Sequence, residues 1–140
     1  MPLTNFGAIL NFAEVMEQED MTFYSKAASA AGSTPLAELF AALAKENKKN
    51  IALVQRTRRE NVTEMILEPI RDFTRAPYEK KPEELAGLDP SAAMTLEKRA
   101  IRYYTDAAEK IRALPEVARS LKTLAKKRGK RLERIENSDR

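Results

Sequence analysis

The chain has 140 residues, with 25 Lys and Arg against 21 Asp and Glu for a formal charge of +4, a length that suits one domain able to bury a core without cross-links. With no Cys it can form no disulfide, no thiolate metal site and no cysteine nucleophile, and with no His it lacks the commonest general base and transition-metal ligand. Any chemistry must be carried by carboxylates, Tyr, Lys or Arg.

Phe6, Leu10, Ala13, Met21, Tyr24 and Ala28 recur at helical spacing and predict a first helix from about Thr4 to Ala31. Gly32 is its natural stop, because glycine accepts the left-handed conformation at a helix end. Thr34 is placed to cap a second helix, with Pro35 at the first helical position, where a missing N–H costs nothing. Leu36, Phe40, Leu43, Ile51 and Val54 carry the apolar stripe to about Arg59. From Glu60 to Leu88 the periodicity weakens, and Pro69, Pro77, Pro82 and Gly87 interrupt it. This stretch reads as a long crossover running the length of a bundle, with Met65, Ile66, Ile70 and Phe73 offering one short amphipathic segment. Asp89-Pro90 opens a third helix, which runs through Met94, Ile101, Tyr104 and Ala108 to about Ala113. Pro115 starts the fourth, with Val117, Leu121, Leu124, Leu132 and Ile135 on its apolar face.

The two halves repeat one another. Met16-Glu-Gln-Glu-Asp-Met-Thr-Phe-Tyr-Ser-Lys-Ala-Ala28 is echoed by Leu96-Glu-Lys-Arg-Ala-Ile-Arg-Tyr-Tyr-Thr-Asp-Ala-Ala108, an offset of 80 residues. Leu43-Ala-Lys-Glu-Asn-Lys-Lys-Asn-Ile51 is echoed by Leu124-Ala-Lys-Lys-Arg-Gly-Lys-Arg-Leu132, an offset of 81. A duplicated helix pair follows, giving an all-α four-helix bundle of two antiparallel pairs joined by the crossover.

Helical phase turns six polar side chains toward the interior. Glu17 lies between Ala13 and Met21, Asn47 and Asn50 between Leu43 and Val54, and Glu97 between Met94 and Ile101. In the fourth helix the stripe skips from Leu124 to Leu132, which puts Arg128 on the core face with Arg131 beside it. Gly129 sits in mid-helix at a cost of about 1 kcal/mol relative to Ala, marking close packing or a local weak spot.

Glu17 and Glu97 are each followed seven residues later by a tyrosine, Tyr24 and Tyr104, and each partner helix carries Leu-Ala followed by two polar positions three residues apart. This pattern, over essentially the whole chain, resembles the rubrerythrin branch of the ferritin-like four-helix bundles. The resemblance implies a site between the helix pairs where the first and third helices each supply a Glu and the second and fourth each supply Glu-x-x-His. That site would hold two irons reacting with peroxide or dioxygen, in a homodimeric protein. The chain departs from the pattern where ligands are needed. The first Glu-x-x-His has become Asn47-x-x-Asn50 and the second Arg128-x-x-Arg131. The additional carboxylate expected three residues after the third-helix Glu is Ala100, and no cysteine-rich tail is present.

Two divalent irons bring four positive charges and need several carboxylates, whereas two glutamates and two guanidiniums already sum to zero. The expectation is that Arg128 and Arg131 take the space of the ions and bond Glu17 and Glu97 directly, with no cofactor. Two alternatives stand beside it. The cluster could form an anion or small-molecule pocket, or the asparagine oxygens with Glu17, Glu97, Asp20 or Glu46 could hold a hard cation such as Mn²⁺ or Ca²⁺. A one-residue shift of the stripe to positions 43, 46, 50 and 53 would turn Glu46 inward beside Asn50; the agreement of both Leu-Ala anchors favours Asn47. Tyr24, Tyr103 and Tyr104 read as core residues with bonded hydroxyls rather than as redox groups.

Arg119, Lys122, Lys126, Lys127, Arg128, Lys130, Arg131 and Arg134 make the C-terminal part lopsidedly basic. Without interleaved aromatics or a groove-reading motif, this run reads as a solvated helix face and not as a nucleic-acid surface. No apolar run approaches the roughly 18 to 20 residues that cross a bilayer, and no signal peptide is discernible, so a cytoplasmic protein is expected. The expected function is that of a metal-free, non-catalytic relative of the rubrerythrins, a binding or structural protein whose partner is a small anion or a catalytic relative. The rival is a divergent iron- or manganese-dependent peroxidase or iron-handling protein.

Overall fold

A computed structural model of the chain describes residues 6–60, 73, 74, 76–79, 87–112 and 114–138. The described residues form an all-α, four-helix protein: α1 (Phe6–Ala31), α2 (Pro35–Glu60), α3 (Pro90–Lys110) and α4 (Pro115–Ser138). Their boundaries follow local chemistry. Gly32 takes φ 71°, in the left-handed region, and closes α1. The Ala37 N–H donates to Thr34 Oγ1 at 3.1 Å, and the Ala92 N–H donates to Asp89 Oδ1 at 2.9 Å, so both predicted caps satisfy backbone donors that have no partner within the helix.

The third helix stops at Lys110, short of the Ala113 expected from the pattern. Ahead of Pro115 the chain tightens instead, with the Leu114 N–H donating to the Ile111 carbonyl at 2.8 Å, and Leu114 then accepts from the Ala118 N–H at 2.9 Å as α4 begins. A residue before proline is pushed out of helical geometry, so α3 has to end and α4 has to restart. Most of the predicted crossover lies outside the described residues, including Met65, Ile66 and Ile70. Its described part is anchored. Phe73 and Tyr78, the latter closing a turn of 3-10 helix at Ala76–Tyr78, bury their rings against Tyr103 with centroids 5.8 and 5.1 Å away.

The main packing is α1 on α2 and α3 on α4, with smaller contacts between α2 and α4 and between α1 and α3. Glu14 bonds Gln55 and Arg58, Glu17 bonds Asn47 and Asn50, and the Tyr24 ring lies 5.7 Å from that of Phe40, so residue numbers fall along α2 as they rise along α1. The apolar core is split into two clusters. One gathers Phe23, Tyr24, Ala27, Phe40, Leu43, Ala92, Ala93, Leu96 and Ile135, and the other joins Ile9 to Met16 of α1 with Val54, Tyr103, Tyr104, Ile111, Val117, Leu121 and Leu124.

The buried face of α1 is wider than the predicted stripe. Ile9, Phe12, Met16, Phe23 and Ala27 are buried, while Met21 and Ala28 are only partly so, because α1 packs against both α2 and α3. Ile51, Met94, Ile101 and Leu132 likewise lie at the margin of the core and not inside it. No helix among the described residues is long and apolar enough to cross a membrane.

Gly129 resolves to the weak spot of the two readings offered by the sequence: a Cβ built there meets nothing within 4 Å. Gly129→Ala is therefore expected to stabilise the protein by about 0.5 to 1 kcal/mol, through helix propensity and a less flexible unfolded chain. The midpoint of urea unfolding measures this, and a loss of stability would show that the backbone at Gly129 is approached more closely than the structure has it.

Candidate functional site

Between the two apolar clusters lies a polar layer. Glu17 and Asp20, one helical turn apart on α1, meet Asn47 and Asn50 of α2, Glu97 of α3, and Arg128 and Arg131 of α4, and every one of these side chains is buried. The i, i+3 spacing puts both members of the α1, α2 and α4 pairs on one face, and with Glu97 of α3 the four helices deliver seven polar groups to one level. The structure thus brings together all six polar residues singled out from the sequence.

Arg128 is the hub. Its Nε donates to Glu17 Oε2 at 3.2 Å, its Nη1 to Glu97 Oε2 at 2.5 Å and its Nη2 to Asp20 Oδ2. Arg131 Nη2 donates to Glu97 Oε2 at 3.1 Å and to Asn47 Oδ1 at 3.0 Å. Asn47 and Asn50 both turn their amide nitrogens to Glu17 Oε1, at 2.7 and 3.2 Å. The two tyrosines cross over between the halves: Tyr24 on α1 donates to Glu97 Oε2 of α3, and Tyr104 on α3 donates to Glu17 Oε2 of α1, each at 2.5 Å. That exchange mirrors the internal repeat, since each tyrosine follows one glutamate by seven residues and serves the other. Tyr103 has a different role, donating to the Ile9 carbonyl at 2.7 Å within the aromatic cluster around Phe12.

Two members of the network escaped the sequence reading. Asp20, which the sequence offers only as a ligand for a hard cation, bonds Arg128 and Arg99 instead, standing on α1 where α3 carries Ala100. Arg99 Nη2 donates to Asp20 Oδ1 at 2.5 Å, and its Nη1 donates to the Tyr78 carbonyl at 2.9 Å. The position of Asp20 three residues after Glu17 could have revealed it; Arg99 lies off the apolar stripe, and its destination depends on where the chain places Tyr78. Glu46 does not turn inward. It sits at the rim and accepts from Arg134 Nη1 at 2.6 Å, so the shifted stripe is not the one that forms.

Three carboxylates thus face three guanidiniums, and the layer remains neutral. Burial alone would raise the Glu17 pKa, but the guanidiniums of Arg128 and Arg131, with the Tyr104 and Asn47 hydrogen bonds, outweigh it and hold the carboxyl below its ordinary 4.5. Burial works against the charge of Arg128 too, and Glu17, Glu97 and Asp20 more than offset it. Burial and the adjacent carboxylates push Tyr24 and Tyr104 well above 10, so both are fixed as neutral donors. The network is not fully satisfied: Glu97 Oε1, Arg99 Nε, Arg131 Nε and Arg131 Nη1 are buried without a partner.

This donor set does not fit a pair of metal ions. A metal needs lone pairs converging on one point, and here every carboxylate oxygen of Glu17, Asp20 and Glu97 except Glu97 Oε1 already accepts a hydrogen bond, while both asparagines present N–H to Glu17. Among the described residues no group of three or more Asp, Glu, His or Cys side chains is arranged to hold a metal ion. The layer holds opposite charges in fixed, buried positions. Comparison with family models, curated proteins and solved structures finds no match, so the family resemblance rests on the residues themselves.

Proposed function

We propose that this chain is a rubrerythrin-like, ferritin-type bundle of two antiparallel helix pairs in which an arginine-centred charge network replaces the di-metal centre, and that it acts as a non-catalytic binding or structural protein. The observation that carries the reading is the Arg128 guanidinium, 0% exposed, with its three nitrogens on Glu17, Asp20 and Glu97, at a position to which the sequence resemblance assigns a metal ligand. The opposed run of contacts along α1 and α2 supports antiparallel pairing, and the reciprocal tyrosine-to-glutamate bonds support descent from a duplicated, symmetric site.

A permanently charged guanidinium among three carboxylates removes both the vacancy and the negative charge that two divalent ions require. Retention of so polar an interior in an otherwise apolar bundle also fixes register, because a slipped helix would strand a buried charge. Metal analysis of protein purified after growth with added iron and manganese tests the proposal. Less than about a tenth of an ion per chain is expected, with no peroxide turnover above a protein-free control. A stoichiometric ion, or turnover abolished by Glu17→Ala, would establish the rival, a divergent metal-dependent oxidoreductase.

A further inference from the structure

Beside the buried layer, a pocket of about 280 Å³ opens between α2 and α4, lined by Glu46, Lys49, Asn50, Lys127, Lys130, Arg131 and Arg134. Five of these residues are cations and one is a carboxylate, and that carboxylate, Glu46, is already engaged by Arg134. Lys49, Lys127 and Lys130 are exposed and have no ion-pair partner among the described residues. Arg131 differs from them. It is 1% exposed, one nitrogen is tied to Asn47 and Glu97, and its Nε and Nη1 are buried with no hydrogen-bond partner.

The Arg131 guanidinium lies over the Tyr24 ring, 5.2 Å from its centroid, which gives the charge a face to rest on but supplies no acceptor for its two unused donors, and three lysines without ion-pair partners among the described residues stand around the same opening. From this we infer that the α2–α4 pocket is a binding site for a small phosphorylated molecule, with Arg131 at its inner wall and Lys49, Lys127 and Lys130 around the phosphoryl oxygens. A phosphoryl group fits this lining better than a carboxylate. It presents three acceptor oxygens and up to two charges to three mobile ammonium groups, with the charges of Arg131 and Arg134 behind them. The volume lies at the lower end of small-molecule sites, which suits inorganic phosphate, pyrophosphate or a compact phosphate ester and not a polymer. Asn50 lines the pocket and also donates to Glu17, and Arg131 lines it and also bonds Glu97, so occupancy reaches the buried layer through two side chains.

The inference gives a ligand class to the binding role proposed above and shares Asn50 and Arg131 with the buried layer, while its test turns on lysines outside that layer. Its test is calorimetric titration of the full chain with pyrophosphate and with orthophosphate in chloride buffer at physiological ionic strength. Saturable binding of one pyrophosphate per chain is expected, weakened about tenfold or more in Lys49→Ala/Lys130→Ala. The double variant Lys122→Ala/Lys126→Ala removes the same charge from exposed positions of α4 that do not line the pocket, and it is expected to bind within about twofold of the parent. All four lysines are exposed, so both variants are expected to fold. Absence of saturable binding, or equal weakening in the two double variants, would overturn the inference, the second by showing that only net charge attracts the anion. Metal found in the core would defeat the proposed function, whereas loss of lysine-dependent pyrophosphate binding in metal-free protein would defeat this inference alone.

Discussion

Arg128→Met is expected to lower the stability of the protein by about 3 to 5 kcal/mol, the range for breaking a buried ion network by removing one partner. The size of the loss comes from what stays behind. Glu17, Asp20 and Glu97 would face only Arg99 and Arg131, leaving one net negative charge in a layer closed to solvent. Methionine fills most of the same volume, so little of the loss should come from a cavity. A compensating change separates charge from packing: in Arg128→Met/Glu97→Gln the layer is neutral again, and the double variant should cost about 1 to 3 kcal/mol less than the sum of the two single variants. Urea unfolding of the four proteins measures the cycle. Small, additive losses would mean that Arg128 is a tolerated passenger and not the hub.

The second large effect is on pH dependence. Glu17 is held below its ordinary pKa of 4.5 in the folded protein, so folding favours its ionised form. Its contribution is therefore full above about pH 4.5 and is lost as pH falls through the lower folded value, where the native carboxylate finally takes up a proton. Glu17→Gln should cost about 1.5 to 3 kcal/mol at neutral pH, the value of a buried hydrogen bond to a charged group. Because glutamine does not titrate, the gap between parent and variant should narrow steadily below about pH 4.5. Stability curves at a series of pH values check this; a gap that stays constant into acid would show that the Glu17 carboxylate is not stabilised by its neighbours.

Much of this architecture could be read from periodicity and end signals. Gly32, Thr34, Pro35, Asp89, Pro90 and Pro115 each act through local backbone chemistry, and local chemistry is what a sequence displays. The polar layer was legible for a related reason: Glu17, Asn47, Asn50, Glu97, Arg128 and Arg131 interrupt apolar stripes at positions that cannot reach solvent without turning the helix. What could not be read depends on neighbours distant in sequence. Arg99 is buried because Asp20 and the Tyr78 carbonyl receive it, and neither partner is visible from the phase of α3. The breadth of the α1 face follows from its having two packing neighbours. The choice between Asn47 and Glu46 as the inward residue came from aligning the two Leu-Ala anchors, since either fits a helical stripe. The α2–α4 pocket depends on exposed lysines whose convergence no single helix reveals.

Exchange of the arginine side-chain protons tests the central idea most directly. In ¹⁵N-labelled protein, with the arginine Nε–H signals assigned through their own side-chain carbons, the signals of Arg128 and Arg131 are expected to exchange with water at least about a hundredfold more slowly than those of exposed residues such as Arg56 and Arg119. Exchange of Arg128 at the rate of the exposed arginines would place its guanidinium in solvent and leave Glu17, Asp20 and Glu97 free to bind something else.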